Sequence, residues 1–386
     1  MTTRIGLLWP QTSALWTAGS IYFQNLLTAL DLAGHGHDVT VIEPEGGCYA
    51  SLGLTEPHKL VTYRPRAPRS IVARELDYVS RYLGIGDSVV AAIKRSGVDV
   101  LFGYPEARRR LPRPWVGWVT DFQHHHYPDW FPEESYRGLD DVFARVARDS
   151  ALVILSSQDS RRDFVRFAPE HADKARVVPF VSLMPGDILA RDPEETVSKY
   201  RVGRPFVVVA NQWWRHKNQE VAILAAATMR DRGEDCTWAM TGVLADYRDP
   251  SHVSRLLQLI AELGVEDRIK ILGVLPRMEQ LQLMRAADCI VQPSLFEGWS
   301  TLVEDTRTLG QRLVVSDIAI HREQEPASAL FFDPASPEDL ADKVRDMLHG
   351  TCERVDESVA LARSRERAAA WGEEFYAVCA EAAGRK

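Results

Sequence analysis

A run of residues in the second half of the chain combines acidic side chains with the start of a helix. Residues 293–305, PSLFEGWSTLVED, follow an apolar strand pattern and open a helical one. The backbone N–H groups of residues 298–301 would lie at the helix N-terminus, where anions such as phosphate bind. Glu297 precedes this turn and could accept hydrogen bonds from sugar hydroxyls, while Glu304 or Asp305 could reach ribose hydroxyls. A capped helix with acidic first turns shows the same pattern without any ligand.

The same residues resemble the Glu-x7-Glu region of retaining glycosyltransferases with the two-domain GT-B fold, the large family 4 or group 1. The family pattern reads E-G-F-G-L-P-x-x-E-A-x-A-x-G, and residues 297–310 read E-G-W-S-T-L-V-E-D-T-R-T-L-G. The unchanged spacing to the last glycine places Asp305 at the second glutamate, with Glu304 one residue earlier. Either carboxylate could bind the ribose, and the longer reach of Glu304 leads us to favour it. Residues 316–318 and 321–324, SDI and HREQ, also resemble a branch of the family.

A basic turn after the first strand pattern of the second half could supply cations for a donor diphosphate. Residues 211–218 read NQWWRHKN, where the family usually has G-R-x-x-x-x-K. Lys217 takes the position of the family lysine, while Asn211 and Gln212 replace the glycine and the arginine. Arg215 is therefore the candidate for the missing charge, which would stabilise a leaving nucleotide diphosphate. The alternative interpretation is a solvated basic turn before an amphipathic helix.

Two segments of the first half could complete the site. Residues 12–20 follow the first strand pattern, and the resemblance implies that this loop, with Gly19, lies near the donor phosphates and the acceptor. Residues 118–126, WVTDFQHHH, also end a strand. In the family, a His-Asp pair near this point contacts the donor sugar, and the resemblance implies this role for Asp121 and His124. The three adjacent histidines could also suggest a metal. Neighbouring side chains point apart in most backbones, and no Cys or matched His pair completes a tetrahedral site, so we expect none.

Short apolar runs alternate with helical patterns along the chain, which predicts parallel sheets covered by helices. The predicted fold class is α/β, with two Rossmann-like domains facing a cleft, as in the GT-B fold. We place an acceptor-binding domain at 1–183, a Pro- and Gly-containing linker at 184–205 and a nucleotide-sugar-binding domain at 206–352. Residues 353–386 are predicted to form a helical segment that packs towards the N-terminal domain, as the terminal helix of the family does.

Composition narrows the classes of protein. A net charge of -8 argues against a general nucleic-acid binder, because phosphate binding needs a basic surface. A mean hydropathy of -0.21 and the lack of a long apolar window argue against an integral membrane protein. Five widely spaced cysteines suit a reducing compartment, so we expect a cytoplasmic protein. Residues 56–113 hold twelve Lys or Arg against six Asp or Glu, and this basic region could meet an anionic acceptor or a membrane surface, or be a solvated face.

The resemblance implies a transferase that moves a sugar from a nucleotide diphosphate sugar to an acceptor hydroxyl, with retention of configuration and without metal or cofactor. The acceptor class stays open between a glycan, a lipid and a natural product. A same-fold epimerase, a disaccharide synthase or a non-catalytic sugar-nucleotide-binding module are the alternatives, and Gln212 at the arginine position favours the last. The predicted catalytic residues are Glu297, Lys217, Asp121 and His124. The predicted donor-binding residues are Gly19, Asn211, Gln212, Arg215, Lys217, Ser294, Gly298, Trp299, Ser300, Thr301, Glu304 and Asp305.

Overall fold

The computed structural model describes residues 2–9, 17–47, 49, 58–64, 87–103 and 111–385, and within them the chain forms two compact units. The first unit comprises Met1–Phe122, Arg137–Phe180 and Arg367–Lys386, and the second comprises Gln123–Tyr136 and Val181–Glu366. The chain therefore enters the second unit twice, first for the short histidine-bearing segment and again for the longer stretch.

Each unit is built on one parallel sheet. Within the described residues, the first unit has seven strands in the order β3-β2-β1-β4-β5-β6-β7, and the second has six in the order β10-β9-β8-β11-β12-β13. The strands are β1 Ile5–Leu8, β2 Val39–Pro44, β3 Lys59–Tyr63, β4 Val100–Phe102, β5 Trp115–Trp118, β6 Leu152–Leu155, β7 Ala175–Val177, β8 Phe206–Ala210, β9 Thr237–Thr241, β10 Ile269–Gly273, β11 Cys289–Gln292, β12 Leu313–Ser316 and β13 Ala329–Phe332. These two sheets confirm the predicted α/β fold class.

Helices connect the strands, as parallel pairing requires. They are α1 Thr17–Leu32, α2 Ser88–Ser96, α3 Gln123–His126, α4 Glu133–Asp149, α5 Gln158–Phe167, α6 Pro193–Tyr200, α7 Gln219–Asp231, α8 His252–Leu263, α9 Arg277–Ala286, α10 Thr301–Thr308, α11 Ala319–Gln324, α12 Pro337–Leu348 and α13 Glu357–Gly384. Short 3-10 helices occur at Gly36–Asp38, Pro128–Trp130, Pro169–Lys174, Ile188–Ala190 and Arg215–Lys217. No helix among the described residues is long and apolar enough to cross a membrane.

The sheet of the second unit is covered on both faces, which explains why its strands are continuous apolar runs. One core cluster joins the strands to α7, α8 and α12 and includes Val221, Trp238 and Val344. The other joins them to α6, α9 and α10 and includes Leu283 and Val303. The polar residues that follow the strands are therefore left at the sheet's carboxyl edge, where ligands bind in open parallel sheets.

The stretch predicted as a linker has regular structure. Residues 184–205 contain a 3-10 helix and α6, and they belong to the second unit. Ile188 and Val197 are buried in the same cluster as Phe206 of β8. These two buried side chains make the Pro- and Gly-containing segment part of the core. The free energy gained by burying apolar surface outweighs the local preference of this segment for turns.

The last helix, α13, belongs to both units. Residues 357–366 lie in the second unit and the remainder lies in the first. Trp371 and Phe375 are buried in the first unit, where the Trp371 ring lies 5.6 Å from that of Tyr22 and the Phe375 ring lies 4.7 Å from that of Phe102. Gly372 lets the helix approach α1, because a Cβ there would collide with the Ala29 carbonyl.

Much of the basic region lies outside the described residues. Arg108, Arg109 and Arg110 lie outside the described residues. Arg113 is described, and its Nε donates a hydrogen bond to the Val98 carbonyl at 2.7 Å. That bond ties the end of the region to the first sheet.

Candidate functional site

The predicted cation and the predicted sugar-binding carboxylate meet in the second unit. Lys217 Nζ lies 2.6 Å from Glu297 Oε1, and the two side chains are 15% and 8% exposed. They follow β8 and β11, which are neighbours in the sheet. Two turns at the same sheet edge therefore bring together residues that are 80 positions apart in the sequence.

Gln292 organises this pair. The last residue of β11, it is fully buried, and its Nε2 donates to Glu297 Oε1 at 2.9 Å and to Ser300 Oγ at 2.8 Å. Its Oε1 accepts a hydrogen bond from Asn211 Nδ2 at 2.6 Å. The amide thus links the end of β8, the Glu297 carboxylate and the first residue of the α10 turn. The sequence analysis did not include Gln292, although a polar residue at the end of an apolar strand was a signal for it.

The turn before α10 is held by hydrogen bonds to Ser300. Ser300 is the N-cap, and its Oγ accepts a hydrogen bond from the Val303 N–H. The Ser300 N–H donates to Gln324 Oε1 at 3.1 Å, so one of the N–H groups expected to bind an anion already has a partner. Ser294 and Gly298 are buried in this turn. Trp299 and Thr301, also predicted to contact the donor, are half-buried there.

The two candidate ribose ligands have different environments. Asp305 accepts two hydrogen bonds from Arg277, at 2.7 and 2.5 Å, and one from Ser182 Oγ at 2.5 Å. Glu304 is fully buried, and its Oε1 lies 3.3 Å from both Arg307 Nη1 and Gln324 Nε2. Adjacent helical residues project about 100° apart, so the two carboxylates serve different sides of α10. Both carboxylates are buried, and each pairs with an arginine that borders solvent, since Arg277 is 28% exposed and Arg307 is 22% exposed.

Gln212, at the family arginine position, has a structural role. Its Oε1 accepts from the Val243 N–H at 2.7 Å, and its carbonyl accepts from Gln219 Nε2 at 2.6 Å. The chain can pass close by because Gly242 has a φ of +114° and no Cβ, which would collide with the Asn211 carbonyl oxygen. Gln212 thus shapes the turn that carries Lys217 without adding charge to it.

Arg215 supplies an exposed cation beside Lys217. Its N–H donates to Asp246 Oδ2 at 2.8 Å, and its guanidinium lies 4.8 Å from the centre of the Trp130 ring. Trp130 in turn stacks on Tyr127 at 4.0 Å, and the Tyr127 hydroxyl donates to the Leu295 carbonyl at 3.3 Å. A cation held against an aromatic face is already oriented before a ligand arrives.

A buried arginine joins the basic turn to the histidine segment. Arg248 is 4% exposed, and its guanidinium donates to Gln123 Oε1 at 2.5 Å and to His216 Nδ1 at 3.1 Å, beside the Asp246 carboxylate. Burial lowers the pKa of His216 well below its usual value, and the Lys217 and Arg248 cations act in the same direction. His216 is therefore neutral near pH 7, so its Nδ1 can accept from Arg248. Sequence reasoning missed Arg248, for which no motif gave a signal.

The remaining predicted residues are divided between the units. Gly19 is buried in α1 and Asp121 follows β5, both in the first unit. His124 is buried in α3 of the second unit, where its ring lies 5.2 Å from that of Tyr136. The adjacent His125 and His126 are exposed. The described residues place Lys217, Glu297 and the donor-binding positions 211–215 and 294–305 in one unit.

The buried His321 supports the turn that carries Glu297. His321 Nδ1 lies 2.9 Å from the Ser316 carbonyl, and Ser316 Oγ donates to the Ser294 carbonyl at 2.5 Å. Burial lowers the pKa of His321 to about 4; the Glu297 carboxylate opposes this shift and Lys217 adds to it. A neutral imidazole that donates through Nδ1 therefore supports the turn that carries Glu297.

The sequence of the second unit matches a known family. Residues 191–364 match the model of the family described as glycosyl transferases group 1. Over these residues the second unit is similar to the group 1 glycosyltransferases. Lys217, Gln292, Glu297 and Asp305 all lie within the matched residues.

Two curated glycosyltransferases are similar to the chain. The D-inositol 3-phosphate glycosyltransferase of Nocardia farcinica is 24% identical over 183 residues, which are 45% of this chain and 39% of that protein. The alpha-D-kanosaminyltransferase of Streptomyces kanamyceticus is 23% identical over 274 residues, 68% of each chain. The chain thus spans well under half the length of the first relative and about two thirds of the second.

Solved structures establish the fold of the whole chain. Anabaena HepE, in complex with UDP and glucose, matches with a TM-score of 0.68 and 18% identity, over 98% of this chain and 99% of that one. The lipopolysaccharide glycosyltransferase WaaG matches with a TM-score of 0.60 and 15% identity, over 98% of each chain. Likeness at this identity shows the fold alone, and the fold is GT-B, as predicted.

Proposed function

We propose that this protein transfers a sugar from a nucleotide diphosphate sugar to an acceptor hydroxyl, with retention of the anomeric configuration. The observation that carries the proposal is the Lys217–Glu297 pair, 2.6 Å apart at the carboxyl ends of two neighbouring strands. A cation for the diphosphate and a carboxylate for the sugar are the two groups that such a donor requires. HepE, a structural neighbour, was solved with UDP-glucose, which supports a donor of this class.

Lys217 would stabilise the leaving group. As the bond between the anomeric carbon and the diphosphate oxygen breaks, negative charge grows on the diphosphate, and a preorganised cation lowers the energy of that state. Arg215, held by Trp130, would supply a second positive charge. Because side chains supply this charge, we expect transfer to continue when divalent metal is chelated, and we expect no cofactor beyond the donor.

Glu297 would orient the donor sugar. In the structure its Oε1 accepts from both Lys217 and Gln292, so the carboxylate is held in one position before the donor arrives. Sugar hydroxyls would donate to it, with Asp121 and His124 as further polar contacts. The acceptor hydroxyl would attack the same face that the diphosphate leaves, its oxygen bonding to the anomeric carbon and its proton passing to a diphosphate oxygen.

Asp305 is the better candidate for the ribose. The spacing of the family pattern places it at the second glutamate, and both of its carboxylate oxygens accept hydrogen bonds from Arg277. Both carboxylates are buried, and each pairs with an arginine that borders solvent. A ribose hydroxyl could take the place of one of the bonds that Arg277 now donates to Asp305. This assignment follows the spacing and reverses our preference from side-chain length.

The first unit would bind the acceptor, with Gly19 near the reacting groups. The curated relatives, one named for an inositol phosphate acceptor and one for kanosamine transfer, are consistent with a glycan, a lipid or a natural product as acceptor. We further propose that the protein works in the cytoplasm and that residues 56–113 could bring it to an anionic membrane surface.

The test begins with a thermal-shift screen of UDP, GDP, ADP and dTDP and their sugars. A ligand that binds only the folded protein raises the melting temperature by mass action. The sugar nucleotide that binds is then incubated with a panel of hydroxyl acceptors, and the anomeric configuration of the product is read by NMR. Release of nucleotide with a retained product supports the proposal, and an inverted product contradicts it.

A sugar-nucleotide-binding module without catalysis is the second candidate. It is favoured by Gln212, whose amide is used within the turn where the family has an arginine. Such a module would give a thermal shift and release no nucleotide with any acceptor. Conversion of a single sugar nucleotide without acceptor would instead identify an epimerase.

A further inference from the structure

Ser182 makes hydrogen bonds through both its hydroxyl and its carbonyl. It is fully buried, and its Oγ donates to Asp305 Oδ1 at 2.5 Å, a short bond of the kind hydroxyls form with carboxylates. Its carbonyl accepts from Thr308 Oγ1 at 2.9 Å and from Ser364 Oγ at 3.0 Å. Thr308 Oγ1 and Ser364 Oγ are also 2.9 Å apart, which closes the group.

Ser182 and Ser364 lie near the two ends of one long stretch of the chain. Ser182 is the second residue of the long stretch that enters the second unit at Val181, and Ser364 lies just before that stretch ends at Glu366. Asp305 and Thr308 are three positions apart in α10, so they share one face of the helix. The helix that follows Glu297 is therefore bonded to residues near both ends of the long stretch Val181–Glu366.

We propose that Ser182 is a positioning residue for the donor nucleotide and acts through Asp305. This inference rests on the proposed function, in which Asp305 binds the ribose. When a ribose hydroxyl replaces one of the Arg277 bonds, the Ser182 hydroxyl and the remaining Arg277 bond keep the carboxylate from rotating away.

The chain offers a matched control. Ser364→Ala removes a buried hydroxyl from the same group and a bond to the Ser182 carbonyl, but that hydroxyl does not contact Asp305. Ser182→Ala removes the bond to Asp305 itself. A general loss of packing or hydrogen bonding in this group should affect both variants. An effect that passes through Asp305 should appear only in Ser182→Ala.

The experiment measures dissociation constants for UDP, GDP, ADP and dTDP by calorimetry on the full chain, with melting temperatures alongside. For the nucleotide that binds most tightly, we expect S182A to raise the dissociation constant about tenfold, the scale of one hydrogen bond to a charged group. S364A should change it less than twofold at a similar loss of melting temperature. In a D305N background, S182A should add no further loss of affinity, because the carboxylate through which Ser182 acts is already absent.

The outcomes are distinct. Equal effects of S182A and S364A on affinity, or losses that add fully in the D305N background, would overturn the role of Ser182. Failure of the parent protein to bind any of the four nucleotides would instead refute the proposed function. Binding that is weakened by S182A alone, and not further weakened in D305N, supports the inference.

Discussion

Removing the Lys217 cation should separate stability from activity. Lys217→Met keeps much of the side chain's apolar volume but removes the cation. Glu297, which is 8% exposed in the parent, then loses its ion-pair partner and keeps the hydrogen bond from Gln292 Nε2. Loss of one partner costs about 3–5 kcal/mol for a fully buried ion pair and about 0–1 kcal/mol for an exposed one. This pair lies between those cases, so we expect a loss of about 2 kcal/mol in the free energy of unfolding. That corresponds to a drop of roughly 4–8 °C in melting temperature.

A second change should restore stability without restoring turnover. Glu297→Gln in the K217M background removes the unpaired charge, while the amide can still accept from Gln292. We expect the free energy of unfolding of the double variant to lie within about 1 kcal/mol of that of the parent, since replacing both partners of a buried pair is often nearly neutral. Turnover should stay at least about 10²-fold below that of the parent in both K217M and the double variant, the scale of losing one preorganised stabilising group.

Urea unfolding and a nucleotide-release assay at saturating donor measure the two quantities. Lys199→Met is the control, because Lys199 is 56% exposed and pairs with Glu279 at 2.7 Å, and neither is a predicted site residue. It should cost under about 1 kcal/mol and leave turnover unchanged. Turnover near that of the parent in K217M, or recovery of turnover in the double variant, would refute the role given to Lys217.

Three further predictions concern other parts of the molecule. Asp305→Asn should raise the nucleotide dissociation constant about tenfold, whereas Glu304→Gln should change it less than threefold, as calorimetry can measure; equal effects would contradict a single ribose ligand. Truncation after Arg365 removes the buried Trp371, so the protein should lose at least about 3 kcal/mol in urea unfolding, and an unchanged melting temperature would show that the end of α13 is a free appendage. The lowered pKa of His321, about 4, means that the unfolded chain binds a proton below pH 6.5 that the folded chain does not. Stability should therefore fall as pH drops from about 6.5 to about 4, by about 3 kcal/mol at most, and His321→Asn should flatten that slope in urea titrations at pH 7, 5.5 and 4.5.

The sequence by itself predicted the fold class and singled out Lys217 and Glu297. Apolar runs separated by helical patterns predict parallel sheets, because strands buried on both faces must be apolar throughout. Lys217 and Glu297 were chosen because each follows such a run and matches a position of the family pattern, and strands in a parallel sheet bring their carboxyl ends to one edge. The fold class needs only local patterns, whereas the choice of these two residues also needs the resemblance to a family.

Only the tertiary structure decided which residues distant in sequence bond to one another around the site. Ser182 bonds to Asp305 across 123 positions, and Arg248 bonds to Gln123 across 125. No local pattern encodes such pairings, since they depend on which segments the folded core brings together. The structure also decided that Ile188 and Val197 of the predicted linker are buried in a core cluster and that Asp305 and Glu304 pair with different arginines. Burial and hydrogen bonding are properties of the surroundings in space, and a residue's type and spacing do not specify them.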